Sequence, residues 1–211
     1  MQRKMPSSST GSKEHYFSVN PKTQLRYGVV RTCLCGHQFE FLTASSVFSV
    51  KRVDLGTRVL IENMVLPQRG WVLDVGCGYG AVGIAAAKLN PALHVVLTDV
   101  NRRAVLLARQ NSEKNRVYNV EVKHGSLYEP VAGLSLAVVL SNPPFSAGME
   151  TVEALVKGAP AVLGVGGSFQ MVVRSKIGKK TLPQVFKETF GNCTVLAIES
   201  GYRVLKAEKR M

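Results

Sequence analysis

The run VLDVGCGYGAVG, Val72–Gly83, sets an apolar strand against a glycine-rich turn and the start of a helix. The strand ends at Asp74-Val75, and Gly76, Gly78 and Gly80 then alternate before the helix begins. Glycines so placed let a backbone turn sharply and approach a ligand closely. Two overlapping frames, Gly76-x-Gly78-x-x-Ala81 and Gly78-x-Gly80-x-x-Gly83, fit the dinucleotide fingerprint, which alone is a weak signal. Asp74 alters its meaning, because a carboxylate just before the glycines repels a dianionic pyrophosphate.

Working outward, short apolar runs alternate with helical stretches. Strands are expected at Trp71–Val75, His94–Thr98, Asn119–Lys123, Ala137–Leu140, Ser168–Val173, Cys193–Glu199 and Tyr202–Ala207. Helices are expected at Ala81–Leu89, Arg102–Arg116, Met149–Leu163 and Lys180–Phe190. Such alternation means βαβ units. The expected fold is α/β: a seven-stranded, mostly parallel Rossmann-like sheet with helices on both faces. Its last two strands form an antiparallel hairpin joined at Ser200-Gly201. Residues 1–13 read as a disordered tail, and residues 14–70 as an extension packed on the main domain, residues 71–211. The extension holds a hairpin, Gln24–Leu34 with His37–Thr43, turning at Cys35-Gly36, and a helix over Gly56–Val65.

Asp99 closes the second strand of the main domain, 25 residues after Asp74. In a parallel sheet the two strand ends lie side by side, and an acid there can accept hydrogen bonds from both hydroxyls of a ribose. A cofactor with a ribose and a cationic amino-acid tail suits both acids, which is the shape of S-adenosylmethionine. The expected cofactor set is Asp74, Gly76, Cys77, Gly78, Gly80, Asp99 and Val100, with Ser126 and Leu127 at the adenine edge after the third strand. His124 reads as a strand-end residue rather than a catalyst.

A second constellation, SNPPFSAG at Ser141–Gly148, follows the fourth strand on the same sheet edge. Its prolines donate no N–H and stiffen the chain, and Asn142 is pushed to an extended backbone by the proline after it. A planar exocyclic amine is a poor nucleophile, because its lone pair is delocalised into the ring. Two acceptors, the Asn142 side-chain oxygen and the Pro143 carbonyl, each take one of its N–H groups and steer the lone pair outward. Pro144 keeps that geometry rigid, and Phe145 offers a face to a flipped base, worth roughly 1–3 kcal/mol by stacking.

DVGCGYG together with NPPF resembles the class I S-adenosylmethionine-dependent methyltransferases that modify planar amino groups. HYFS at His15–Ser18, FEFLTASSVFS at Phe39–Ser49, VDLGTRVLIE at Val53–Glu62 and GYRVLK at Gly201–Lys206 extend the likeness to the RsmC-like ribosomal RNA guanine-N2 methyltransferases. The resemblance covers roughly residues 15 to 207 and implies a single-domain, archaeal-type member. It also implies that the VFS…D-x-G-T region closes over the cofactor, with Phe48 touching it. The chain departs from the bacterial members in having one copy of the domain, and in carrying Ser146 where they have His.

Net charge is +13, spread as +6 over residues 1–70, +1 over 71–150 and +6 over 151–211. An excess that flanks a near-neutral middle is the footprint of a polyanion, so RNA, ribosomal by resemblance, is the expected partner. Arg174, Lys176, Lys179 and Lys180 after the fifth strand, and Lys51 and Arg52 in the extension, are the expected phosphate contacts. The first residues carry no apolar run and no stretch is long enough to span a bilayer, so a cytoplasmic protein without a membrane partner is expected. Cys33, Cys35 and His37 raise a metal reading, but no second ligand pair completes a zinc set; buried thiols at a strand turn are expected, and no metal. The target class stays open among guanine N2, adenine N6, a transfer RNA guanine and a protein glutamine amide. Outside that class stand a nucleotide-dependent oxidoreductase and a non-catalytic RNA-binding module.

Overall fold

The computed structural model describes residues 24, 26–49, 51–144, 146, 148–177 and 181–210. The chain opens with the hairpin β1 (Tyr27–Leu34) and β2 (His37–Ala44), whose two-residue turn has positive φ at both Cys35 and Gly36, the mirror-image turn that suits strand twist. Helix α1 (Leu55–Asn63) follows, and then the sheet begins. Its elements in order are β3 (Gly70–Val75), α2 (Ala81–Leu89), β4 (Leu93–Asp99), α3 (Arg102–Lys114), β5 (Val120–His124) and β6 (Leu136–Ser141). They continue with α4 (Met149–Val162), β7 (Leu163–Arg174), α5 (Thr181–Phe190), β8 (Thr194–Glu199) and β9 (Tyr202–Glu208).

Strand order across the seven-stranded sheet is β5-β4-β3-β6-β7-β9-β8. The first five strands are parallel, and β9 inserts antiparallel between β7 and β8. The expected mostly parallel sheet with an antiparallel C-terminal hairpin is therefore what the chain forms. The order reverses between β3 and β6, and ligands in open α/β sheets bind beyond the strand ends at such a switch point. Ser141 Oγ, at the end of β6, donates to the Val75 carbonyl at the end of β3 at 3.1 Å, fixing the two rims together.

One face of the sheet packs α4 and α5 through Leu73, Val139, Phe169, Val156 and Phe186. The other packs α1, α2 and α3, with the hairpin layered outside. This layering explains α2, whose sequence AVGIAAAKL is apolar almost all round. Its residues 81–87 are all buried, because the sheet covers one side while Phe39 and Phe41 of the hairpin share the same core.

Three expectations need correcting. Cys33 and Cys35 are exposed, not buried: Cys33 alternates onto the outer face of β1 with Val29 and Arg31. Strand β7 starts at Leu163 rather than Ser168, directly from the end of α4. Gly164, Gly166 and Gly167 look like a turn in sequence, yet Leu163 already pairs with Leu136, and a Cβ at Gly167 would sit 2.7 Å from the Leu136 carbonyl. The glycines there permit close strand approach. Helix α1 ends at Asn63, two residues before the expected Val65. The tail at 1–13 and the HYFS stretch lie outside the described residues.

Candidate active site

Beyond the carboxyl ends of β3, β4 and β6 lies a cavity of about 560 Å3. The glycine turn forms its floor. Gly76 and Cys77 both donate their N–H to the Thr98 carbonyl at 2.9 Å, folding the turn over the end of β4. Gly76 and Gly78 hold φ values of 72° and 57°, and a Cβ on either would meet no atom within 4 Å, so each leaves open space toward the cavity. Gly83 serves a different purpose: a Cβ there would lie 2.7 Å from the buried Leu97 side chain. That close approach brings its N–H to Asp74 Oδ2 at 2.8 Å.

Asp74 and Asp99 both line the cavity. Burial pushes the Asp74 carboxyl up to about 7, against the pull of the Gly83 N–H and with a further push from the Asp99 charge. Burial also pushes Asp99 up to about 6, opposed by the backbone N–H groups of Asn101 and Gly78. Those two groups donate to opposite oxygens of the carboxylate, Asn101 to Oδ1 at 2.8 Å and Gly78 to Oδ2 at 2.9 Å. The acid is thereby held rigid at the wall. Burial also drives the Cys77 thiol well up, which keeps it neutral.

The structure gathers most of the expected residues into this one space. Asp74, Gly76, Cys77, Gly78, Asp99, Val100, Ser126, Leu127, Asn142, Pro143, Pro144 and Phe48 all line it. Gly80 does not; at φ 93° it caps α2, and a Cβ there would run into Ile84 and Leu97 at 2.9 and 3.0 Å. Leu127 sits in the left-handed region at φ 47°, a strained conformation for a branched side chain of the kind that collects at ligand sites. His124 is structural, its Nε2 2.9 Å from the Val100 carbonyl. Arg174 and Lys176 are exposed just past β7, and Lys51 and Arg52 are exposed before α1. Phe145, Lys179 and Lys180 lie outside the described residues.

Sequence reading missed several lining residues. Thr57 reaches the cavity from the first turn of α1, and Glu150 from the first turn of α4. Asn142 Nδ2 donates to Thr57 Oγ1 at 2.9 Å and to Asp54 Oδ2 at 3.4 Å. The D-x-G-T stretch was noticed in sequence, but nothing local tells that its side chains meet a residue 85 positions later. Among the described residues no three His, Cys, Asp or Glu side chains come together as a metal set.

The lining tests the cofactor. Three carboxylates, Asp74, Asp99 and Glu150, line the cavity, and among the described residues no Lys, Arg or His does. A pyrophosphate would find no counter-charge here. A group with a cationic amine, a cationic sulfur and ribose hydroxyls finds acceptors on two sides, glycine cradles open at Gly76 and Gly78, and a volume typical of small-molecule sites. S-adenosylmethionine fits these residues, and the dinucleotide reading does not.

A sheet of this order with such a site defines a class I S-adenosylmethionine-dependent methyltransferase. The methyltransferase small domain family matches residues 38–206, and the chain belongs to that family. It is 34% identical over 198 residues to the uncharacterized protein YbxB of Bacillus subtilis, covering 93% of this chain and 98% of that one. It is 33% identical over 175 residues to ribosomal RNA small subunit methyltransferase C of Serratia proteamaculans, covering 81% of this chain and 49% of the relative. Among solved structures it resembles the Thermus thermophilus 16S rRNA N2 methyltransferase RsmC in complex with AdoMet and guanosine, at a TM-score of 0.80 and 27% identity. That likeness covers 90% of this chain and 52% of RsmC. The chain thus spans about half the length of the RsmC relatives it matches. The archaeal-type assignment is not supported: the relative matched over nearly its whole length is bacterial.

Proposed function

We propose that this protein transfers a methyl group to an exocyclic amino group of a base in RNA, most specifically N2 of a guanine in ribosomal RNA. One observation carries the reading: the glycine cradle, Asp99 and the Asn142-Pro143-Pro144 rim line the same cavity. When bound, S-adenosylmethionine supplies a methyl group on a cationic sulfur. Asp74 and the turn at Gly76–Gly78 would hold its amino-acid end, Asp99 its ribose, and Val100, Ser126 and Leu127 its adenine, while Phe48 closes over it from the extension.

The acceptor enters at the β6 rim. The Asn142 Oδ1 and the Pro143 carbonyl each take one N–H of the planar amine, which localises the lone pair on nitrogen and aims it into the cavity. Pro143 is buried, so its carbonyl is fixed before the base arrives. Phe145 supplies the stacking face. No strong base is required, since the amine loses its proton after the methyl arrives and has become the stronger acid. The basic residues past β7 and before α1, Arg174, Lys176, Lys179, Lys180, Lys51 and Arg52, take the flanking phosphates.

Guanine is favoured over other amines by two lines of support. The relatives with named activity act on small-subunit ribosomal RNA, and the solved RsmC complex holds guanosine. The test is tritiated methyl transfer from S-adenosylmethionine to total RNA, followed by nucleoside mass spectrometry. N2-methylguanosine is the expected product. N6-methyladenosine would move the acceptor, and label found only in protein would overturn the RNA assignment.

A further inference from the structure

The amide of Asn142 has two faces, and only one suits an amine. Its Oδ1 accepts an N–H; its Nδ2 would set donor against donor and compete for the lone pair that must attack. Which face meets the acceptor is decided on the other side of the amide. There Nδ2 donates to Thr57 Oγ1 at 2.9 Å and to Asp54 Oδ2 at 3.4 Å. An ionised carboxylate can only accept, so the amide cannot turn its oxygen toward Asp54 without meeting like charge.

Asp54 is itself immobilised. The same Oδ2 caps α1, accepting the Gly56 N–H at 2.9 Å and the Thr57 N–H at 3.3 Å. The first turn of α1 is seated in turn by Tyr202 of β9: a Cβ at Gly56 would stand 2.8 Å from Tyr202 Cε1 and 3.0 Å from Cδ1. Helix capping alone would ask nothing of Asn142, and a buried threonine on the first turn has no packing need for its hydroxyl.

We propose that Asp54 and Thr57 are positioning residues: they lock the Asn142 amide with Oδ1 presented to the acceptor amine. The inference rests on the amino-acceptor reading above. It also gives the extension a part in the chemistry beyond covering α2, since α1 belongs to the extension while Asn142 belongs to the sheet.

The test uses Thr57→Val, Thr57→Ser and Asp54→Asn in the full chain. Valine matches threonine in shape and removes the acceptor, serine restores it, and asparagine keeps a good N-cap while removing the charge. Three quantities are read: kcat and KM for methyl transfer, affinity for S-adenosylmethionine by calorimetry, and hydrogen exchange at the Asn142 side-chain amide by nuclear magnetic resonance. Thr57→Val and Asp54→Asn are expected to lower kcat by about 10- to 100-fold with cofactor affinity unchanged, as a misoriented reactive group does. Both should speed Asn142 amide exchange, and Thr57→Ser should recover rate and protection together. Wild-type kcat and unchanged exchange in Thr57→Val would overturn the inference. A protected amide in the wild type, lost in Thr57→Val, alongside a product methylated on oxygen or carbon would instead overturn the functional reading, because the exchange arm does not depend on the acceptor.

Discussion

Asp74 and Asp99 end neighbouring parallel strands and face one cavity, and burial raises both. The two consequences have opposite signs. Asp74 titrates near 7 in the folded, ligand-free protein and near 3.8 as an ordinary carboxyl. Between those values the folded state holds a proton that the unfolded state lacks, so stability from this group is fully present below about pH 4 and lost as pH rises through 7. Ligand binding runs the other way, because a cationic tail needs the ionised form. From pH 8 to pH 6, affinity for S-adenosylmethionine should fall about tenfold through Asp74 alone. Calorimetry across that range measures it, and thermal unfolding without ligand should show the inverse trend relative to Asp74→Asn. A flat affinity profile that matches Asp74→Asn would refute the assignment. These residues were legible in sequence because a site made of strand ends and glycines is written in short motifs. Thr57, Asp54 and Glu150 were not, because each reaches the cavity from the first turn of a helix whose position only the packing determines.

At the scale of elements, the hairpin raises a problem that α3 solves. Strand β2 pairs β1 on one side only, which leaves an edge of unpaired backbone against the domain. Two asparagines one helical turn apart act as the missing strand. Asn111 accepts the Leu42 N–H at 2.7 Å and donates to the Leu42 carbonyl at 2.9 Å. Asn115 does the same for Glu40, at 3.1 and 2.9 Å. The match is geometric: residues i and i+4 of a helix rise about 6 Å, close to the span of residues i and i+2 of a strand. Further along, Asn101 and Arg103 donate to the Ser46 and Ser45 carbonyls at 2.9 and 2.7 Å, which fixes the turn carrying Val47 and Phe48 over the cavity. Asn111 is fully buried, so Asn111→Leu strands backbone groups as well as losing bonds. It should destabilise by about 2–4 kcal/mol, measured by urea unfolding, and should weaken cofactor binding through Phe48. The sheet itself was legible, since apolar strands alternate with helices at ordinary spacing. The asparagine ladder was not, because asparagine inside a helix reads as a poor helix former and its partners lie 69 and 75 residues away.

Taken as a whole, the molecule separates its charges by task. The cavity is lined by acids, while the +6 blocks of the two ends of the sequence supply cations beside it. Parallel topology brings those ends together: β7 adjoins β6, so Arg174 and Lys176 emerge next to the Asn142 rim, and α1, whose Thr57 bonds Asn142, carries Lys51 and Arg52 just ahead of it. No helix among the described residues is long and apolar enough to cross a membrane, so the excess charge has no such segment to flank. If it serves RNA, two results must follow together. RNA affinity should fall steeply with salt, each phosphate contact contributing a slope of about −0.7 to −0.9 in log K against log salt. Replacing Lys51 and Arg52 by glutamate should weaken RNA binding, make the salt slope shallower by about two contacts, and leave affinity for S-adenosylmethionine unchanged, because neither residue lines the cavity. Filter binding across a salt series, with calorimetry on the same variant, measures both. A lost RNA affinity with an unaltered slope would mean that the pair acts by holding α1 rather than by meeting phosphate, since only counterion release ties affinity to salt.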